Sequence, residues 1–269
     1  LLVTRVKKLT LKYLKRIYVP DTGKKEVTLL LKRVVFRYEI KRIVFSKEYL
    51  LILTATLIYA ISLLRGLVLY GVNYTAPFSG LTFATYCSCL TPFLFILLLL
   101  LCARFFRPSE RGAEAIIRAT CMPYHIFRLI RYSAAMCAFL FAALLPVSAC
   151  LIFYRTVFDY KESGTLLFSG LLIIIPPAIF LFGVAIAIGR LEAAGVYILL
   201  AVIIVISIFQ IRLPAFMDII GTNAGQVLYN ENQALRLSSS FITGRLIFSS
   251  IGLAFSILSI YRSRKCPDC

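Results

Sequence analysis

The chain is dominated by runs of apolar side chains too long for the interior of a water-soluble domain. Residues 93–101 read Phe-Leu-Phe-Ile-Leu-Leu-Leu-Leu-Leu without a polar interruption. A bilayer core about 30 Å thick needs roughly 20 such residues in helical form, and six stretches meet or approach that length. They are Tyr49 to Tyr70 (broken by Arg65), Leu81 to Ala103, Tyr132 to Tyr154, Thr165 to Gly189, Gly195 to Ile211 and Leu246 to Tyr261. A membrane barrel would alternate apolar and polar residues; Leu171-Leu172-Ile173-Ile174-Ile175 does not. Helices satisfy their own backbone groups in hydrocarbon, so the pattern predicts an all-α, polytopic membrane protein with six transmembrane helices. Composition agrees: 60% of the 269 residues are hydrophobic, against about 45–50% in soluble domains. That excess excludes a soluble globule, a disordered chain and a small disulfide scaffold.

Charge placement orients the spans. The net charge is +18, and residues 1–48 alone hold 14 Lys and Arg against four acids. Segment 103–131 adds six Arg, whereas Gly71 to Gly80 carries no charge. Basic residues collect on the cytoplasmic side of membrane proteins. The expected topology therefore has both termini in the cytoplasm, with a basic interfacial segment at 1–48, a membrane domain at 49–261 and a short tail at 262–269. Distributed this way, the charge describes orientation and attraction to anionic lipid, and nucleic acid is not expected as a partner. No cleavable signal peptide is expected before the first span, because the N-terminal segment is too long and too charged.

Two segments outside the spans are amphipathic. Val27, Leu30, Leu31, Val34, Val35 and Tyr38 recur at helical spacing among basic residues, and the stripe stops at Arg42. A basic amphipathic helix before a first span is expected to lie in the interface. Between the second and third spans, Ser109 is a candidate helix cap, and Glu110 and Glu114 suit a helix's positive end. Ala113, Ile116, Ile117 and Thr120 share a face, Arg118 lies among them, and Pro123 ends the helix. Arg128 and Arg131 then lead into the third span.

This E-R-x-x-E-x-I-x-x-A-T-x-x-P segment, followed by a basic start to the third span, resembles the permeases of ABC type-2 transporters. The resemblance covers most of residues 30–262. It implies an N-terminal elbow helix, six spans and a cytoplasmic coupling helix over Ser109 to Thr120. It also implies a re-entrant element between spans five and six, for which Pro214 to Ile220 is the candidate. By the same resemblance, Glu110, Glu114, Ile117, Arg118, Pro123, Arg128 and Arg131 couple the chain to separate ABC ATPase subunits. A second permease copy or a related permease completes the transporter, membrane lipids surround it, and a bacterial plasma membrane is the expected location. The chain departs from the pattern in Cys121 and Met122, inserted before the loop proline, and in a basic extension over residues 1–24.

The remaining signals point away from catalysis on this chain. No G-x-x-x-x-G-K-[ST] pattern is present, so no ATP cofactor is expected here and ATP would be hydrolysed by a partner. His125 is the single histidine and cannot alone build a metal site or dyad. Cys266 and Cys269 have C-x-x-C spacing without a second pair. Arg65 is a candidate pathway-lining residue for an anionic or amphiphilic substrate, set against a side chain that snorkels to the outer headgroups. Pro92, Pro146 and the pair Pro176-Pro177 are candidate bends, and Gly183 with Ala187 forms a small-residue packing face. The predicted spans contain no Asp or Glu, which argues against proton- or sodium-coupled transport. The expected function is an ABC exporter permease. The competing classes are an assembly or immunity factor that binds an amphiphile, and a membrane enzyme acting on lipids.

Overall fold

The structure, a computed structural model, describes residues 23–70, 80–107, 110, 124–160, 163–209, 214, 218–221 and 239–261. The extension at 1–22, Glu114, Ile117, Arg118, Pro123, Cys121, Cys266 and Cys269 lie outside the described residues. The described chain is helical, without a strand. Seven helices follow in order: α1 (Gly23–Val44), α2 (Lys47–Leu63), α3 (Gly80–Phe105), α4 (Tyr124–Phe158), α5 (Ser163–Leu191), α6 (Ala194–Ile208) and α7 (Ser239–Tyr261). A π-helical turn, Leu64–Val68, extends α2. Among the described residues, five helices are long and apolar enough to cross a membrane: α2 with its π turn, α3, α4, α5 and α7. The chain is an integral membrane protein of helical type.

The α3 helix is the hub, because its leucine-rich run is apolar on every side. Phe83, Leu90, Leu94, Phe95, Leu98 and Cys102 are fully buried. The α4 helix carries a seam of small residues, Ala134, Ala135, Ala138, Ala142 and Ala143, all buried, and small side chains let helices in hydrocarbon approach closely. Two tyrosine hydroxyls pin α4 further: Tyr49 donates to the Ala138 carbonyl at 2.8 Å and Tyr86 to the Pro146 carbonyl at 2.9 Å. Pro92, Pro146, Pro176 and Pro177 all sit inside continuous helices.

Glycines set the α5–α7 contact. A Cβ on Gly183 would meet the Gly252 carbonyl, and one on Gly252 would lie 2.6 Å from Cα of Phe180. The sequence pattern singled out Gly183 and Ala187; the residue that meets Gly183 is Gly252, which lies on a stripe of small residues, Ser249, Gly252, Ser256 and Ser259, at helical spacing along α7.

Several boundaries differ from those read in the sequence. The fifth span, expected over Gly195 to Ile211, is the 15-residue α6; at 1.5 Å per residue it reaches about 22 Å, short of a bilayer core. The sixth begins at Ser239 rather than Leu246, so Arg245 lies within the helix. The α4 helix absorbs the basic lead-in and runs unbroken for 35 residues. On α1 the face packed against the bundle is Phe36, Glu39, Ile40 and Ile43, while Val34 and Tyr38 of the predicted stripe are exposed. On that side Arg42 pairs with Glu110, outside α1.

Candidate coupling site

The site forms where α1, the end of α3 and the start of α4 meet. Ser46 creates the corner between α1 and α2: its Oγ donates to the Ile43 carbonyl at 2.7 Å and accepts from the Tyr49 amide at 3.4 Å. Such a cap satisfies a helix-end amide. Leaving α3, the Glu110 amide donates to the Arg107 carbonyl at 3.0 Å, which keeps the chain turning. Glu110 is thereby held over the start of α4.

Its carboxylate is shared. Arg131 Nη2 donates to Glu110 Oε2 at 2.8 Å, and Arg42 Nη2 donates to the same oxygen at 3.0 Å. Arg131 is nearly buried, its guanidinium 5.0 Å from the Phe105 ring centroid and 5.6 Å from that of Phe127. Cation–π contact holds such a group in place. Arg42 Nη2 also lies 2.9 Å from Glu39 Oε2, one turn back on α1, without the angle of a hydrogen bond. Burial pushes the Glu39 carboxyl above its ordinary value, outweighing the opposing pull of Arg42 and Arg131. Two carboxylates and two guanidiniums thus form a half-buried chain across three elements. In low dielectric such a chain is costly to break.

A second, looser pair lies beside it. Arg107 Nη2 meets Glu48 Oε1 at 2.8 Å, and this bond raises the Arg107 guanidinium above its ordinary value, with Tyr197 of α6 adding a smaller contribution. Both side chains are solvent-facing, so the pair contributes at most about 1 kcal/mol. Arg128 turns away from Arg131 and donates to the Ser259 carbonyl at 3.3 Å, where Arg190 of α5 also donates. Two cations on the last turn of α7 suit that helix's negative end.

Of the residues singled out in the sequence, Glu110 and Arg131 are in contact, and Arg128 lies at the same end of the bundle without joining them. Arg65 is exposed on the π turn and enters no cluster with these residues. His125 is exposed at the start of α4, and no group of three His, Cys, Asp or Glu side chains converges among the described residues. Among the described residues, the site is a set of two carboxylates and two guanidiniums that holds α1, the segment leaving α3 and α4 together.

Sequence reading missed Glu39 and gave Arg42 only as the end of a stripe. A signal was available, because Glu39 is the lone acid between residues 27 and 47 and stands three residues before Arg42. It also missed Arg245 and Asp218, each 2% exposed in the opposite half of the bundle. Asp218 is a buried acid in a chain whose spans read as free of acids.

No family model, curated protein or solved structure matches the chain.

Proposed function

We propose that the chain is the permease subunit of an ABC-type exporter, moving its substrate with ATP hydrolysed by separate ATPase subunits. The observation that carries this reading is the shared Glu110 carboxylate. It ties the loop leaving α3 to Arg42 on α1 and to Arg131 on α4. A push on the 109–120 segment would reach the N-terminal helix and a 35-residue helix together, which is what ATP-driven coupling requires. Two copies, or this chain and a related one, would flank the pathway and rock between inward and outward states. Buried Asp218 removes part of the argument against ion-coupled transport, since its Oδ1 is held by the Gly221 amide at 2.8 Å inside the fold. The Glu110 linkage is therefore the stronger ground.

The test is recovery of the tagged full chain from its native membranes under mild detergent. An ATPase carrying the P-loop pattern is expected to co-purify, and Glu114→Lys and Ile117→Asp are expected to stimulate it less while the chain still folds. Recovery of the chain without any ATPase, or full stimulation in both variants, would overturn the reading and favour a non-transport amphiphile-binding protein.

A further inference from the structure

Arg245 lies six residues into α7, so about 9 Å of helix separates it from Ser239. Its side chain is buried, and neither Nη1 nor Nη2 has a hydrogen-bond partner among the described residues. The guanidinium rests on the Phe241 ring, 4.5 Å from the centroid. The turn at 218–221 covers it. Gly221 sits at φ +84°, where a Cβ would come 3.5 Å from Nη2, 3.0 Å from Ile173 Cγ2 and 3.9 Å from Ser88 Cβ. Positive φ favours glycine, and the turn is closed by the Gly221 amide donating to Asp218 Oδ1. Asp218 acts on Arg245 through space, but its oxygens satisfy neither terminal nitrogen.

A guanidinium at this depth is tolerated when its donors are met. Here the two outer nitrogens, which form the fork that clasps two oxygens of a carboxylate or phosphate in parallel bonds, are left open. Cation–π contact fixes the plane of the group while leaving its edge free. Ile242 and Leu246, three residues before it and one after, are exposed apolar side chains, so an apolar chain lying along α7 would place its headgroup at this level. We propose that Arg245 is a binding site for a phosphate group carried by an amphiphile, with Nη1 and Nη2 donating to its oxygens. Entry requires the 218–221 turn to move off Nη2.

The site is defined without an ATPase, and its test reads binding alone, so its failure leaves the coupling proposal standing and the reverse also holds. The full chain is purified in uncharged detergent and its thermal unfolding followed with dihexanoyl phosphatidylglycerol, with dihexanoylglycerol, and with inorganic phosphate against chloride at equal ionic strength. Phosphatidylglycerol is expected to raise the midpoint by several degrees in a saturable way and the neutral lipid to leave it unchanged. Arg245→Gln is expected to abolish the response and Arg155→Gln, at an exposed arginine of α4, to keep it. An equal Arg245-dependent response to inorganic phosphate would assign the site to free phosphate as well as to lipid. If Arg245→Gln does not fold, Arg245→Lys keeps the charge without the fork and is expected to bind at least tenfold more weakly. No response in the wild-type chain, or an unchanged response in the variant that folds, overturns the proposal.

Discussion

Glu110 and Glu39 are two carboxylates in one cluster with opposite consequences. The Glu110 oxygen serves two guanidiniums, one of them nearly buried. Removing it leaves Arg131 as an uncompensated charge, a change that costs about 3–5 kcal/mol in buried pairs. Glu110→Leu is therefore expected to lower stability by about that amount, and Glu110→Leu with Arg131→Met to recover most of it, because removing both partners is close to neutral. Denaturant unfolding in micelles reads both; an additive double variant would mean that the pair does not interact. Glu39 behaves differently because burial opposes its charge more than its neighbours favour it. Its folded pKa lies above the ordinary 4.5, so between those values the folded chain binds the extra proton. Stability then falls as pH rises through that window and levels off above it. Glu39→Gln is expected to unfold at a higher temperature than wild type at neutral pH, with the two melting curves converging below pH 4.5. A variant less stable at pH 7 would show that the Arg42 contact outweighs burial.

Between helices, shape decides more than charge. At the α5–α7 crossing the atoms facing Gly252 are backbone atoms of Ile179 and Phe180, which cannot swing aside as a side chain can. Gly252→Ala is expected to force the two helices apart at a cost of about 1–3 kcal/mol. Gly164→Ala, where nothing lies within 4 Å, is expected to stay within about 0.5 kcal/mol of wild type. Cross-linking yield between α5 and α7, with thermal unfolding, separates the two; an undisturbed Gly252→Ala chain would mean that the helices pack more loosely than the structure has them. The same scale shows what the sequence could reveal. Long apolar runs announce α2 to α5 because transfer into hydrocarbon depends on composition alone. The start of α7 is hidden because Arg245 and the serines before it read as a loop, and only Phe241 and the 218–221 turn make that arginine an interior residue. The partners of Glu110 stand 68 and 21 residues away in sequence, a separation no local pattern encodes. Glu39 was legible in its i,i+3 spacing to Arg42, while the apolar stripe beside it, expected to lie in the interface, leaves Val34 and Tyr38 exposed and gives the bundle side to Phe36, Ile40 and Ile43.

At the scale of the molecule, the ion pairs and caps say which helix ends lie together, and this bears on how many times the chain crosses. Glu48 at the start of α2 meets Arg107 just past α3. Arg128 near the start of α4 and Arg190 at the end of α5 both reach Ser259 at the end of α7. The start of α2 and the end of α7 therefore mark the ends from which the α2–α3 and α4–α5 pairs set out and to which they return. Since α7 ends beside the end of α5, the chain from Ala194 to Ser239 has to travel the length of α7 before that helix begins. The α6 helix supplies about 22 Å of that path, and the buried turn at 218–221, against Ile173 and Arg245, lies along the remainder. We propose that this path is a further crossing with a short fifth helix, which would make six traverses and put both ends of the membrane domain on the cytoplasmic side that the basic residues indicate. Cysteines placed singly at Lys47, Tyr70 and Tyr261, all exposed, in a chain whose native thiols are replaced, test this with a membrane-impermeant maleimide. Labelling at position 70 is expected in intact cells, and at 47 and 261 only in inverted vesicles. Labelling at 261 from outside would mean that α6 does not cross, that the chain makes five passes, and that the coupling segment and the C-terminal end of α7 face opposite compartments.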